Sequence, residues 1–203
     1  MLPSHITSDL IVLADQSTDD TLSIAQEIVE ENGIVVEIEA GCVGTARALG
    51  VQFALERYKG ARSRCWLANT DADCEVPVTW LQDQVVYANA GIAAVAGIVD
   101  VDSFVEHESF VSERFRLSYF VNADGTHPHV HGANLGVRAD AYLQAGGWQN
   151  LSTAEDHDLW RRLHSGRHQR ISDARLCVLT SGRRVGRAPL GFADALAAHN
   201  VTR

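Results

Sequence analysis

The sequence predicts an α/β protein with a mainly parallel sheet, on three observations. Short, nearly continuous apolar runs recur at DLIVLAD (Asp9–Asp15), CWLAN (Cys65–Asn69) and GIAAVAGIVDV (Gly91–Val101), as expected of strands buried on both faces. Stretches of helical period and length alternate with them, the pattern of parallel strands joined by crossover helices. Asn32-Gly33 and Gly60 close two of those stretches, and such residues stop helices.

Each element can be justified in turn. After Asp15 comes STDD (Ser17–Asp20), where a hydroxyl caps a helix and carboxylates favour its first turn. Leu22, Ala25, Ile28 and Val29 then share one helical face, and IVVEIEA (Ile34–Ala40) reads as a second strand. A helix from about Gly44 to Lys59 carries Ala46, Leu49, Phe53 and Ala54 at core spacing. CWLANTDAD is a third strand that ends on Asp71 and Asp73. Pro77 suits the first turn of a helix running through Trp80, Val85 and Val86, and Gly91–Val101 is a fourth strand. From Asp102 to Val130 the chain is polar, studded with Phe104, Phe110, Phe115, Tyr119 and Phe120, and accommodates one helix. His129–Trp148 reads as a glycine-rich turn before a short helix. Ala154–Gly166 is a helix with Leu159, Trp160 and Leu163 on one face, Arg170–Ser181 a strand, and Leu190–Asn200 a closing helix. No repeat, low-complexity tract or linker interrupts the 203 residues, so a single domain over 1–203 is expected.

Composition narrows the function. A net charge of −9 disfavours nucleic acid, whose phosphates repel an acidic surface. The four cysteines (Cys42, Cys65, Cys74 and Cys177) show no Cys-x-x-Cys pair or zinc spacing and read as reduced thiols. No apolar run reaches the roughly 18 residues of a membrane span, and MLPSHITSD is not a signal sequence. A soluble, cytoplasmic protein is the expectation.

In sheets of this class, ligands bind beyond the carboxyl ends of the strands, and both Asp15 and Asp71 fall there. Asp71-x-Asp73 is either a solvated turn, since Asp bonds its own backbone, or a pair of oxygen ligands for a divalent cation that carries a phosphate.

Four segments in order give the chain a family resemblance. VLADQSTDDT (Val12–Thr21), NTDAD (Asn69–Asp73), HGANLGVRADAYLQAGGW (His131–Trp148) with AEDHDLWRRL (Ala154–Leu163), and LTSGRR (Leu179–Arg184) resemble the motifs of family 2 glycosyltransferases. The resemblance spans about Leu10 to Arg187. It implies a GT-A-like three-layer α/β/α sandwich with a mainly parallel, mixed sheet, its nucleotide-binding half at about 9–101 and its acceptor-binding half at about 102–203. It implies sugar transfer from a nucleotide-diphospho-sugar to an acceptor hydroxyl, with Mg²⁺ or Mn²⁺ as cofactor and inversion at the anomeric carbon. Carried over by position, Asp73 would hold the metal, and Asp71 the ribose or a metal-bound water. Asp15 would accept from the nucleobase, Arg47 would face the nucleotide or its diphosphate, and Arg183 with Arg184 would clamp the diphosphate. Asp156 would be the general base, with Gly132, Asn134 and Glu155 on the acceptor side. Arg47 also reads as a solvated helix charge and Arg183 as part of a solvated basic loop. Trp148 and Trp160 are either sugar platforms or core.

The sequence departs from the pattern in two ways. Ala14 and Gln16 stand where the family has Asp and Gly. Only MLPSHITS precedes the first apolar run, so the family's opening strand, which lies between the counterparts of DLIVLAD and CWLAN, has no match. Those two strands are therefore expected to be adjacent or poorly joined, with weak or absent donor affinity. A nucleotidyltransferase or a non-catalytic GT-A-like binding module are the competing readings.

Overall fold

The structure, a computed structural model, describes residues 2–201. The chain runs β1 (Leu10–Asp15), α1 (Thr21–Val29), β2 (Gly33–Ile38), α2 (Val43–Arg57), β3 (Trp66–Asn69), β4 (Cys74–Glu75) and α3 (Trp80–Asn89). It continues through β5 (Ala94–Val101), α4 (Val111–Ser118), β6 (Leu135–Arg138), α5 (Ala139–Gln144), α6 (Glu155–Ser165), β7 (Arg170–Thr180) and α7 (Phe192–Ala197).

Five strands form one sheet in the order β3-β6-β5-β7-β4. β6 runs antiparallel to both β3 and β5, while β5 and β7 are parallel, so the three strands β3, β5 and β7 point the same way. β6 and β4 supply the antiparallel component. Neither was read from the sequence, because a run of four or two residues shows no period of its own.

The sheet is covered on both faces. Ala94 and Ala96 of β5, with Leu135 and Val137 of β6, pack against Val51 of α2, Tyr142 of α5, and Leu159 and Leu163 of α6. Val95 and Val99, on the opposite face of β5, pack with Leu176 and Val178 of β7 and Trp80 of α3. Burial on both sides explains why Gly91–Val101 is apolar at consecutive positions rather than alternate ones. A third cluster, Val111 and Phe115 of α4 with Val101 and Leu196, absorbs part of the aromatic stretch after Asp102.

The ladder between β5 and β7 breaks in the middle. Pairing passes from Ala96↔Ser172 to Ile98↔Cys177, so Asp173–Leu176 stand opposite the single residue Gly97. Asn134, with no exposed surface, fills this break. Its Nδ2 donates to the carbonyls of Ile98 and Leu176, both at 2.8 Å, and its Oδ1 accepts from Trp80 Nε1 at 2.9 Å. A Cβ on Gly97 would lie 2.2 Å from Asn134 Nδ2, so glycine is required there by close approach.

β1 and β2 pair in parallel as a separate two-stranded sheet. Among the described residues β1 bonds only β2, and β3 bonds only β6. The strands matching DLIVLAD and CWLAN are thus not adjacent. Of the two expected outcomes the structure has the poorly joined one.

Candidate active site

The carboxyl ends of β3 and β7 bring the acidic motif together with three distant segments. In the antiparallel pair Asn69 faces Leu135, and Asn69 Nδ2 donates to the Leu135 carbonyl at 3.1 Å. The single helical turn at Gly132–Asn134 therefore sits beside the loop that carries Asp71 and Asp73. Cys74 pairs with Thr180 at the end of β7, and Ser181 N donates to the Asp73 carbonyl at 3.1 Å, which brings Arg183 alongside.

Arg47, near the start of α2, is the centre of the constellation. Its side chain is only 10% exposed. Nη2 donates to Asp71 Oδ1 at 2.6 Å, Nε to Glu155 Oε1 at 3.2 Å and Nη1 to the Gly132 carbonyl at 3.2 Å, while the guanidinium lies 5.5 Å from the Trp148 ring centroid. Burial works against its charge, but Asp71 and Glu155 outweigh it and hold its pKa above the ordinary value. Arg47 is thus not a solvated helix charge. It joins the Asp-x-Asp loop to the start of α6.

Gly132 takes part through its backbone. Its N–H donates to Asp156 Oδ2 at 2.8 Å, and an added Cβ would fall 2.5 Å from Arg47 Nη2. Asp156 Oδ1 also accepts from His157 N at 2.7 Å. Burial, with Asp156 as neighbour, pushes Glu155 above the usual carboxylate range despite Arg47. Ala154, just before α6, has a left-handed backbone with φ of 57°, an uncommon conformation for a non-glycine residue and one concentrated at functional sites.

Asp73 Oδ2 is paired with Arg183 Nη2 at 2.8 Å. Asp15, at the end of β1, accepts from Ala40 N at 2.7 Å and Gly41 N at 3.2 Å, which ties β1 to the loop leading into α2. Arg184 lies apart, its N–H on Glu106 Oε2 at 2.9 Å. Asn134 needs a correction. Expected on the acceptor side, its amide is wholly buried and bonded to Ile98, Leu176 and Trp80, so it supports the site from beneath. Trp148 and Trp160 pack as core, the former buried and the latter half-buried.

A stacked set of rings lies close to Asp156, whose partner Gly132 follows His131 in the chain. Tyr119 lies over His129 with ring centroids 3.9 Å apart, and His129 and His131 are 6.1 Å apart and nearly coplanar in orientation. Tyr119 Oη accepts from Val99 N at 3.1 Å and lies 2.7 Å from His131 Nε2. Burial above all, then neighbouring His129 and His157, pushes the His131 pKa down to about 3. The imidazole is neutral at ordinary pH. The alternation His127-x-His129-x-His131 was the available signal of the stack in the sequence.

Among the described residues no three His, Cys, Asp or Glu side chains are grouped to hold a metal ion by themselves. A cation at the Asp71–Asp73 loop would therefore have to take further ligands from outside the protein, as Mg²⁺ usually does. No helix among the described residues is long and apolar enough to cross a membrane.

A family model described as "Glycosyl transferase family 2" matches residues 5–144. The chain belongs to that family. The match ends before α6, so Glu155, Asp156 and Arg183 lie outside it. Solved structures extend the likeness at the level of fold. GalNAc-T7, solved with UDP, GalNAc and Mn²⁺, aligns at 14% identity with a TM-score of 0.64, over 90% of this chain and 39% of its own. A mannosyltransferase from Pyrobaculum calidifontis, in complex with GDP-Man and Mn²⁺, aligns at 17% identity with a TM-score of 0.59, over 95% of this chain and 59% of its own. The fold is that of GT-A glycosyltransferases, and the chain spans less than two thirds of either structure. No curated protein matches it.

Proposed function

We propose that this family 2 chain transfers a sugar from a nucleotide-diphospho-sugar to an acceptor hydroxyl, with inversion, using Asp156 as general base. The observation that carries this reading is the linkage through Arg47. One buried guanidinium ties Asp71, on the donor side, to Glu155 and Gly132, and Gly132 in turn holds Asp156. Donor and acceptor motifs are thereby fixed relative to one another, as a direct displacement requires.

In that displacement the acceptor oxygen forms a bond to the anomeric carbon as the bond to the diphosphate oxygen breaks. The electron pair leaves with the diphosphate, and the hydroxyl proton passes to Asp156. Each Asp156 oxygen accepts one backbone N–H, which leaves lone pairs on both for the proton. A divalent cation, held by Asp73 and the donor's phosphates, would neutralise the charge that develops on the leaving group. Arg183, now on Asp73, would turn its planar fork to the diphosphate oxygens. Asp15 keeps lone pairs for the nucleobase, and Asp71 would meet the ribose or a metal-bound water.

Asp156→Asn tests the assignment. It keeps size and removes basicity, so turnover should fall by about 10²–10⁴-fold with donor affinity nearly intact. Loss of donor affinity along with turnover would move Asp156 to the nucleotide side. The separation of β1 and β2 from the larger sheet favours a second reading, a sugar- or protein-binding module. Donor binding without turnover in the unaltered chain would select it.

A further inference from the structure

At the opposite end of the sheet, where β5 and β7 begin with Ala94 facing Arg170, lies a second concavity. It has a volume of ≈ 630 Å³, and its lining includes His127, Trp160, His164, His168, Arg170 and Ser172. It is remote from the candidate active site. His164 stands eight residues beyond Asp156 on α6, about 12 Å along the helix axis, and nearly the whole of β7 separates Arg170 from the Thr180 end.

The cavity holds buried polar groups with nothing to bond. His127 is 6% exposed, and neither of its ring nitrogens has a hydrogen-bond partner. Burial above all pushes the His127 pKa down, and the carbonyls of Ala96 and His129, which favour its proton, do not meet bonding geometry. Arg170 Nη1 is likewise buried without a partner. The Arg170 guanidinium stacks 4.5 Å from the Trp160 ring centroid, which fixes its plane while leaving its edge free. Ser172 Oγ accepts from His127 N at 3.0 Å, so its own proton remains to be donated. Unmet donors of this kind are costly in a folded protein and call for an explanation such as a missing ion.

Charge selects the ligand class. The lining contains no carboxylate, in a chain whose net charge is −9. The nearest acids are already paired. Asp140, beside His168, accepts from Arg138 Nε at 2.6 Å, and Asp173, next to Ser172, accepts from Arg175 Nη2 and Tyr87 Oη. Metal binding is disfavoured for the same reason, since three imidazoles without convergence or an acid make no ligand set here.

We propose that this cavity binds a phosphate group, with Arg170 as its principal contact, His127 and Ser172 as hydrogen-bond donors, and His164 and His168 at the mouth. A tetrahedral oxyanion offers separate oxygens to donors arriving from several directions, and guanidinium is the side chain best shaped for it. The space exceeds that of the free ion, so a phosphate monoester on a sugar fits as well as inorganic phosphate.

Calorimetric titration of the full chain with inorganic phosphate and with a hexose phosphate tests this, in EDTA and at constant ionic strength to silence any metal-assisted binding at Asp73. Saturable binding is expected. It should weaken at least tenfold in Arg170→Gln and be unchanged in Arg183→Gln. Tighter binding of the hexose phosphate identifies the esterified group as the ligand, and equal binding identifies the free ion. Ring-nitrogen NMR shifts of His127 should move on phosphate addition to the unaltered chain, a readout that does not depend on a variant folding. Absence of saturation, loss of binding in Arg183→Gln instead of Arg170→Gln, acetate competing equally, or unmoved His127 shifts would each overturn the proposal.

Discussion

Arg47 places its donors on three segments that are 24, 85 and 108 residues away in sequence. This separation is why its role was not legible. A charge on an amphipathic helix reads as solvated or as aimed at a ligand, and nothing local announces partners supplied by later strands and turns. Asp71, Asp73 and Asp156 could be placed at a strand end and a helix start because their motifs are contiguous, and the structure has them there. Gly132 was legible as a position, but its reason, the closeness of Arg47, was not. Asn134 shows the limit on the other side, since the same motif letter serves equally for a side chain facing a ligand and for one locked beneath it. Arg47→Met should leave Glu155 buried without its cation, and breaking such a pair costs about 3–5 kcal/mol. Denaturant unfolding would measure it, with Arg47→Lys intermediate because the charge survives without the fork. A loss near zero would show that Arg47 does not organise the site.

Among the elements, the longer strands and helices were readable because each carries enough residues to show a period or an apolar run. β4 and β6 were not, since their conformation comes from the strands they pair with rather than from their own residues. The break between β1–β2 and the main sheet has an energetic consequence. A two-stranded pair has little stability of its own, and both β1 and β3 keep an edge without a strand partner among the described residues. Amide exchange should therefore be faster in Leu10–Asp15 and Gly33–Ile38 than at the centre of β5, by the local opening such segments allow. Uniform protection across both sheets would contradict this. The stack that includes His131 makes a pH-dependent expectation. Its neutral form persists in the folded chain down to about pH 3, against an ordinary value of 6.5. The unfolded chain therefore binds a proton in that window that the folded chain does not. Stability contributed at neutral pH is lost as the pH falls below 6.5. NMR should show His131 ring shifts flat between about pH 5 and 8, and a midpoint near the ordinary value would remove the burial argument.

For the molecule as a whole, alternation of elements was enough to give the layers, whereas the strand order β3-β6-β5-β7-β4 rests on pairings that no local pattern encodes. The two carboxylates of the Asp-x-Asp loop, which the sequence leaves open as turn or ligand pair, are each held by an arginine, Arg47 on Asp71 and Arg183 on Asp73. The most direct test of the proposed transfer is calorimetric titration of the chain with a panel of UDP-sugars and GDP-mannose, with Mn²⁺ and with EDTA, alongside Asp73→Ala. Weak but Mn²⁺-dependent binding of at least one donor is expected, with that dependence lost in Asp73→Ala while the fold persists. Binding of no donor, or equal affinity in EDTA, would contradict a metal-dependent nucleotide-sugar site.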